Sequence, residues 1–289
     1  VKTEPFGRRK YLVDIIVRCC GQPELTDACV FSIFANTPHE LFRLTVVENE
    51  GPMGDDDWSR YNPSGKAAAH LFCRYGDQDD PWERAQYVQL PTNMGAVRAS
   101  NVGFMLSYLS PAQFVLIMDN DARIPNGDKD WLERWLKHFD DPEVGAAGAT
   151  SDRVAGYQQI QATPETYQKE WQNQKSGDHG ETGPIFVPWL ISFACMYRKE
   201  AMAKIVNPAG LWDERFEPGN SEDIDASLRL REAGYKCALA ADIYIHHDMS
   251  KTFTANFDFG ELLKTNHAKL VKKWGQDKLT AMGVTISYE

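Results

Sequence analysis

Asp119 and Asp121 stand one residue apart, directly after the apolar run Phe114-Val115-Leu116-Ile117-Met118. Two carboxylates at that spacing, at the end of a buried strand, offer oxygen ligands to a hard divalent ion. Mg²⁺ and Mn²⁺ take such ligands and share them with substrate phosphates. A loop cap produces the same triplet, so the pair by itself is a weak signal. The strong apolar run raises it, because it places the pair at a defined sheet edge.

Two further clusters bear on the same chemistry. Glu222, Asp223 and Asp225 fall in the first turn or so of a predicted helix over 221–233, with Asn220 or Ser221 as its N-cap. Acids at a helix start also simply complement its dipole, and Asp225 and Arg229, four apart, can pair. His246 and His247 end a later predicted strand. Alternation puts them on opposite faces, so only one enters a given site, where a neutral imidazole would complete an Asp/His metal shell.

The elements that must position these groups alternate. Strands are predicted over 11–18, 41–48, 87–93, 114–118 and 143–150, with helices over 25–36, 95–110 and 129–139. That alternation argues for a largely parallel α/β sheet, and ligands bind at the carboxyl ends of its strands. The second half reads as a polar segment, a mobile loop at 174–184, an apolar run feeding a helix, the acidic helix, and short strands near 236–240 and 243–246. No internal repeat is visible. One domain is expected over 1–289, with a nucleotide-binding half at 11–150, an acceptor-side half at 151–250 and a C-terminal helical extension at 251–289.

Composition excludes several classes. A formal charge of −10 argues against a nucleic-acid binder, although Lys264, Lys269, Lys272 and Lys273 make a basic stretch near the C-terminus. No apolar run is long enough to span a membrane. The 6 cysteines show no metal or disulfide spacing, and a reduced, cytoplasmic setting is expected; work at the inner face of a membrane is compatible with it. A phosphatase of the haloacid dehalogenase type would carry its paired aspartates near the domain start, followed by Thr. Here Ala122-Arg123-Ile124 follow at mid-chain.

Four stretches in order, VVENEG, LPTNMGAVRASNVGF, FVLIMDNDARI and LWDERFEPGNSEDIDASLRLREAGYKCALAADIYIHH, resemble the family-2-like glycosyltransferases of GT-A fold, across roughly residues 11 to 250. The resemblance implies a Rossmann-like, mostly parallel nucleotide-binding sheet with helices on both faces. It also implies transfer of a sugar from a nucleoside-diphosphate donor to a glycan or glycoconjugate acceptor, as in polysaccharide biosynthesis. It assigns Asp119 and Asp121 to Mn²⁺ or Mg²⁺ and the donor, with Asp121 the more direct ligand, and it matches His246 to the C-terminal metal histidine. Arg18, Cys19, Glu48, Asn93, Gly95 and Arg98 fall on the donor side. Glu48 stands where the family usually has Asp, a longer arm that leaves the base open; a UDP-sugar is the slightly favoured donor over GDP- and dTDP-sugars. Asp223 matches the inverting general base. Trp212, Asp213 and Glu214 match acceptor-side positions.

The chemistry is coherent beside the name. A cation stabilises charge growing on the diphosphate, and a carboxylate takes the proton of the attacking hydroxyl. Glu222, beside Asp223, is a further acceptor-side candidate. Trp189 and Trp212 present flat faces that could stack on sugars or pack as core, and the acidic loop 49–65 could serve as a lid. Retention of configuration and a non-catalytic nucleotide-sugar or carbohydrate-binding protein are the competing accounts. A nucleotidyltransferase would show an N-terminal Gly-rich loop with a basic residue, which Ile15 to Glu24 lacks.

Overall fold

In the computed structural model, residues 12–49, 85–160, 184–208, 210–248 and 258–285 are described. The expected lid after Asn49 and the mobile loop before Pro184 lie outside them. Ten strands and seven helices are seen among the described residues. β1 (Val13–Cys19), β2 (Phe42–Glu48), β3 (Ala85–Gln89), β4 (Phe114–Asp119), β6 (Val144–Thr150), β7 (Ile185–Val187), β8 (Ala194–Arg198) and β9 (Lys236–Tyr244) form one sheet in the order β3-β2-β1-β4-β8-β6-β9-β7. The strands of the second half therefore complete the same sheet rather than forming a separate layer.

β1, β2, β3 and β4 run parallel, as do β6 and β9, while β8 lies antiparallel between β4 and β6. The central strands are apolar almost throughout because both faces are covered. On one face Ile15, Val17, Leu116 and Met118 join Trp131 and Trp135. On the other Ile16, Val115 and Ile117 join Phe104 and Trp212.

Helix α1 (Pro23–Asn36) covers the first face, and its Cys29 and Ile33, four residues apart, are fully buried. α2 (Ala96–Tyr108) covers the second. α3 (Trp131–Lys137) returns to the first face; its two indoles find partners in Thr37 Oγ1 at 3.0 Å and the Ala147 carbonyl at 3.2 Å, as buried indoles require. α4 (Lys199–Ile205) and α5 (Glu222–Glu232) pack on the second face.

Beyond the sheet, α6 (Phe259–Trp274) and α7 (Gln276–Ala281) build a third apolar cluster with Phe216 and Leu228. A two-stranded ribbon of β5 (Ala122–Arg123) and β10 (His246–His247) closes the turn after β4. The predicted strands at 236–240 and 243–246 are instead one nine-residue strand, β9, with a register irregularity near its end. Among the described residues no helix is long and apolar enough to cross a membrane.

Leu116 sits fully buried at the middle of β4. Leu116→Ala is expected to cost about 2–5 kcal/mol in denaturant unfolding; a loss below about 1 kcal/mol would show that β4 is not the packed centre of the fold.

Candidate active site

The register of the parallel strands assembles the site. Arg18 pairs with Asp119 and Cys19 with Glu48 across neighbouring strand ends. Even-numbered residues of β1 and odd-numbered residues of β4 share one face, so the Arg18 and Asp119 side chains meet there and form an ion pair. The pair stands at the carboxyl ends of the strands where the order turns from β1 to β4, the usual crevice of such sheets.

Asp119, Asp121 and His247 form the one cluster among the described residues whose ligand atoms suit a metal ion, all within 4.8 Å of one another. His247 Nε2 is 3.2 Å from Asp121 Oδ1 and 3.9 Å from Asp119 Oδ2. The other ring nitrogen, Nδ1, sits 2.7 Å from the Arg153 carbonyl. A carbonyl can only accept, so Nδ1 carries the hydrogen and Nε2 is left to face the carboxylates, as in metal-binding histidines. Burial disfavours the charged ring, but the bond to Asp121 and the charges of Asp121 and Asp119 raise its pKa overall. Two hard oxygens and one imidazole fit Mn²⁺ or Mg²⁺.

The expectation of His246 is thereby corrected. His246 points away, with Nε2 3.0 Å from Asp248 Oδ1, and Asp248 also pairs with Arg123 at 2.8 Å. The register irregularity near the end of β9 breaks strict alternation, so the facing of the two histidines cannot be counted forward from Lys236.

Across the crevice lies the acidic start of α5. Asp223 Oδ1 accepts from the Ile224 amide at 2.8 Å and Oδ2 from the Ser192 amide at 3.2 Å. Burial raises the pKa of Asp223, against those two amides and Arg18. Glu222 is pushed up to about 8, first by burial and then by its neighbour Asp223, with Arg18 opposing. The predicted cap is present but unusual: Ser221 occupies the N-cap position without a side-chain bond, and both Asn220 (φ 76°) and Ser221 (φ 72°) are left-handed. Two successive non-glycine residues in that region are strained. Ser192 Oγ, Asn220 Nδ2, Ser221 Oγ and Glu222 Oε2 are buried without a partner among the described residues, a concentration of unmet polar atoms that favours a polar ligand here.

On the donor side, Glu48 is buried and accepts from Cys19 Sγ and the Gly21 amide, each at 3.3 Å. Burial and that carboxylate push the Cys19 thiol well up, so it stays a donor. Asn93 Oδ1 accepts from Asn49 Nδ2 at 3.1 Å and from the Gly95 amide at 3.0 Å. Gly95 is required twice over: its φ is +89°, and a Cβ would lie 1.9 Å from Glu217 Oε2. Arg98 donates its amide to Glu217 Oε1 at 2.7 Å and its Nε to Glu214 Oε2 at 2.9 Å.

Of the acceptor-side expectations, Glu222 lies beside Asp223 at the start of α5, and Glu214 pairs with Arg98 at 2.9 Å. Trp212 and Asp213 are corrected: both are fully buried. Trp212 packs edge-on against Phe104 at 4.9 Å, with the Arg18 guanidinium 5.2 Å from its ring centroid. Asp213 takes Arg215 and Lys273, whose hydrogen bonds hold its pKa well below the usual range although burial pushes the other way. A hydroxyl acceptor reaches neither. Trp189 is half-buried against Tyr157, 5.3 Å between centroids.

Sequence reasoning missed Ser192, whose amide fixes Asp223 and whose carbonyl accepts from Arg18 at 3.3 Å. It also missed Ser100, 3.2 Å from Arg18 Nη1. Neither carries a local signal, because one acts through its backbone and the other through a helix face.

No protein-family model matches the chain, and no curated protein matches it in sequence. Solved structures do match in shape. The mannosyltransferase PcManGT from Pyrobaculum calidifontis, in complex with GDP-Man and Mn²⁺, superposes with a TM-score of 0.62 at 16% identity over 93% of this chain and 68% of that one. GalNAc-T7 with UDP, GalNAc and Mn²⁺ gives 0.63 at 11% identity over 93% of this chain and 49% of that one. S. aureus TarS gives 0.55 at 15% over 90% of this chain. The chain spans about two-thirds of the mannosyltransferase and less than half of the other two. At these identities the likeness establishes the fold: the chain has the mixed, mostly parallel GT-A fold.

Two measurements test the geometry. His247→Ala is expected to weaken Mn²⁺ binding in calorimetry by more than about tenfold, whereas His246→Ala stays near wild type; the reverse result would return His246 to the site. Glu222 binds a proton in the folded state that the unfolded chain releases near 4.5. Its stabilising contribution is therefore complete below that value and lost as pH rises towards 8. Glu222→Gln should flatten the fall in stability across that window. An unchanged slope would place Glu222 in water.

Proposed function

We propose that the chain is a metal-dependent glycosyltransferase that moves a sugar from a nucleoside-diphosphate donor to a hydroxyl of a glycan or glycoconjugate, with inversion by direct displacement. The observation that carries this reading is that two different acid sites flank Arg18: it pairs with Asp119, and Ser192, whose carbonyl it binds at 3.3 Å, gives its amide to Asp223 at 3.2 Å. Asp119 pairs with Arg18, and the charge of Arg18 also acts on Glu222 and Asp223. One acid group suits a metal ion and the other suits proton transfer, and both border the same crevice.

Asp119, Asp121 and His247 would hold Mn²⁺ or Mg²⁺, which would supply charge stabilisation for a diphosphate leaving group. Asp223 accepts the proton of the attacking hydroxyl. The Ile224 and Ser192 amides hold both its oxygens, and burial makes it more basic than an exposed aspartate, which suits a general base. Glu222, whose pKa burial and the neighbouring Asp223 raise, holds a proton more readily than an exposed glutamate and so can offer an O–H to a sugar hydroxyl. Arg18 keeps the carboxylates from repelling one another before substrate binds.

The nucleoside half of the donor belongs beside Glu48, Cys19 and the Asn93–Arg98 junction at the ends of β1, β2 and β3. The presence of Mn²⁺ in the mannosyltransferase and GalNAc-T7 complexes supports the metal. Their GDP and UDP ligands leave the base open, so a UDP-sugar is the first to test and a GDP-sugar the second. A cytoplasmic protein working on a soluble or lipid-linked acceptor is consistent with the reading.

Binding calorimetry against UDP-, GDP- and dTDP-sugars, with Mn²⁺ and with EDTA, tests the donor assignment. One metal-dependent donor is expected, and silence from all of them would leave only the fold. With that donor, Asp223→Asn should retain donor affinity while transfer falls by about 10²-fold or more. Retained transfer would move the base elsewhere.

A further inference from the structure

Helix α6 contributes no atom to the metal cluster or to the acid pair, yet its polar side chains converge on the segment that carries the acid pair. Asn266 is fully buried and donates through Nδ2 to the Phe216 carbonyl at 2.8 Å and the Gly219 carbonyl at 2.5 Å. Both amide hydrogens are thereby used, and two acceptors facing one side chain allow only this orientation of the amide. Lys269 Nζ reaches the Glu217 carbonyl at 3.4 Å.

One turn further on, Lys273 Nζ lies 2.8 Å from Asp213 Oδ2 and 2.6 Å from Asp225 Oδ1. Trp274 Nε1 donates to Asp225 Oδ1 at 2.8 Å. Asp213 opens the loop before α5, and Asp225 lies in the first turn of α5. Both are fully buried, and a buried carboxylate needs a partner. Lys273 therefore ties the two ends of the loop together, while Asn266 fixes its middle. Between those anchors lie the left-handed Asn220 and Ser221 and the acids Glu222 and Asp223. Strained backbone of this kind persists only where its surroundings over-determine it.

We propose that α6 is a brace for the acid-bearing loop, with Asn266, Lys273 and Trp274 as positioning residues that hold Glu222 and Asp223 in their buried geometry. The consequence for turnover rests on Asp223 being the base; the brace itself does not. The apolar contacts of Leu270 and Trp274 with Phe216 and Leu228 dock the helix, and the polar contacts set the loop.

Hydrogen–deuterium exchange on the full chain tests it, using Asn266→Asp, Asn266→Leu and Lys273→Met. In each variant the amides of 213–226 should exchange about tenfold faster or more, with β1 and β4 peptides and Mn²⁺ affinity as in wild type. Asn266→Asp keeps the shape but loses the donors. Wild-type exchange in that variant would show that Asn266 only fills space, and would overturn the brace. A uniform rise along the whole chain would overturn it too, since that reports general instability.

With the donor identified by calorimetry, the same variants should lower kcat while leaving donor KM unchanged. The acid limb of the pH–rate profile should move to lower pH, because a loosened Asp223 gains water. If Asp223→Asn itself retained transfer, the base assignment would fail while the exchange data still decided the brace.

Discussion

The site is organised around a single guanidinium. Arg18, the last residue but one of β1, has Asp119 beside it, Glu222 and Asp223 within reach of its charge, and the Trp212 ring 5.2 Å from its guanidinium. Several carboxylates withdrawn from water around one crevice would repel one another and remain protonated. A cation among them offsets part of that cost, and the Ser192 carbonyl and Ser100 hydroxyl each take a hydrogen from one of its terminal nitrogens. Arginine suits the position because its planar fork serves several acceptors at once and stays charged when buried.

That arrangement depends on how the sheet is threaded. The parallel pairing of β1 with β4 brings Arg18 to Asp119, while β8, inserted antiparallel beside β4, carries Phe193 and Ser192 past the same edge. The Asp119 amide donates to the Phe193 carbonyl at 2.8 Å, and the ring of Phe193 lies 4.9 Å from that of His247. Ser192 is thus fixed by the strand that follows it and can present its amide to Asp223. The cluster suited to a metal ion and the acid helix thus come from distant parts of the chain.

Stability and function are set against each other at the start of α5. Asn220 and Ser221 adopt backbone conformations that neither residue favours, Glu222 is buried without its preferred solvation, and four polar atoms nearby have no partner among the described residues. Each of these costs free energy in the free protein. The compensation comes from elsewhere in the tertiary structure, through the buried Asp213–Lys273–Asp225 bridge and the apolar cluster under α6. A ligand that satisfied those polar atoms would recover part of the cost, which is how a preorganised site gains binding energy.

Much of this was legible in the chain. The run Phe114–Met118 is apolar at every position because both faces of β4 are covered, and that is why Asp119 and Asp121 could be placed at a strand end. The acid cluster at 222–225 and the Asp225–Arg229 pair followed from helical spacing, which is a local property. What could not be read locally was which imidazole faces inward, because the irregular end of β9 removes the alternation that would have decided it. Nor could Trp212 and Asp213 be told from surface residues. Their burial comes from α2 and α6, remote in sequence, packing over them. The sequence by itself determined the residue types and the local elements, since these follow from periodicity and short-range sterics. Only the tertiary structure decided that Arg18 pairs with Asp119, that His247 rather than His246 faces Asp119 and Asp121, and that Asn266 and Lys273 bind the loop, because each is a contact between segments dozens of residues apart.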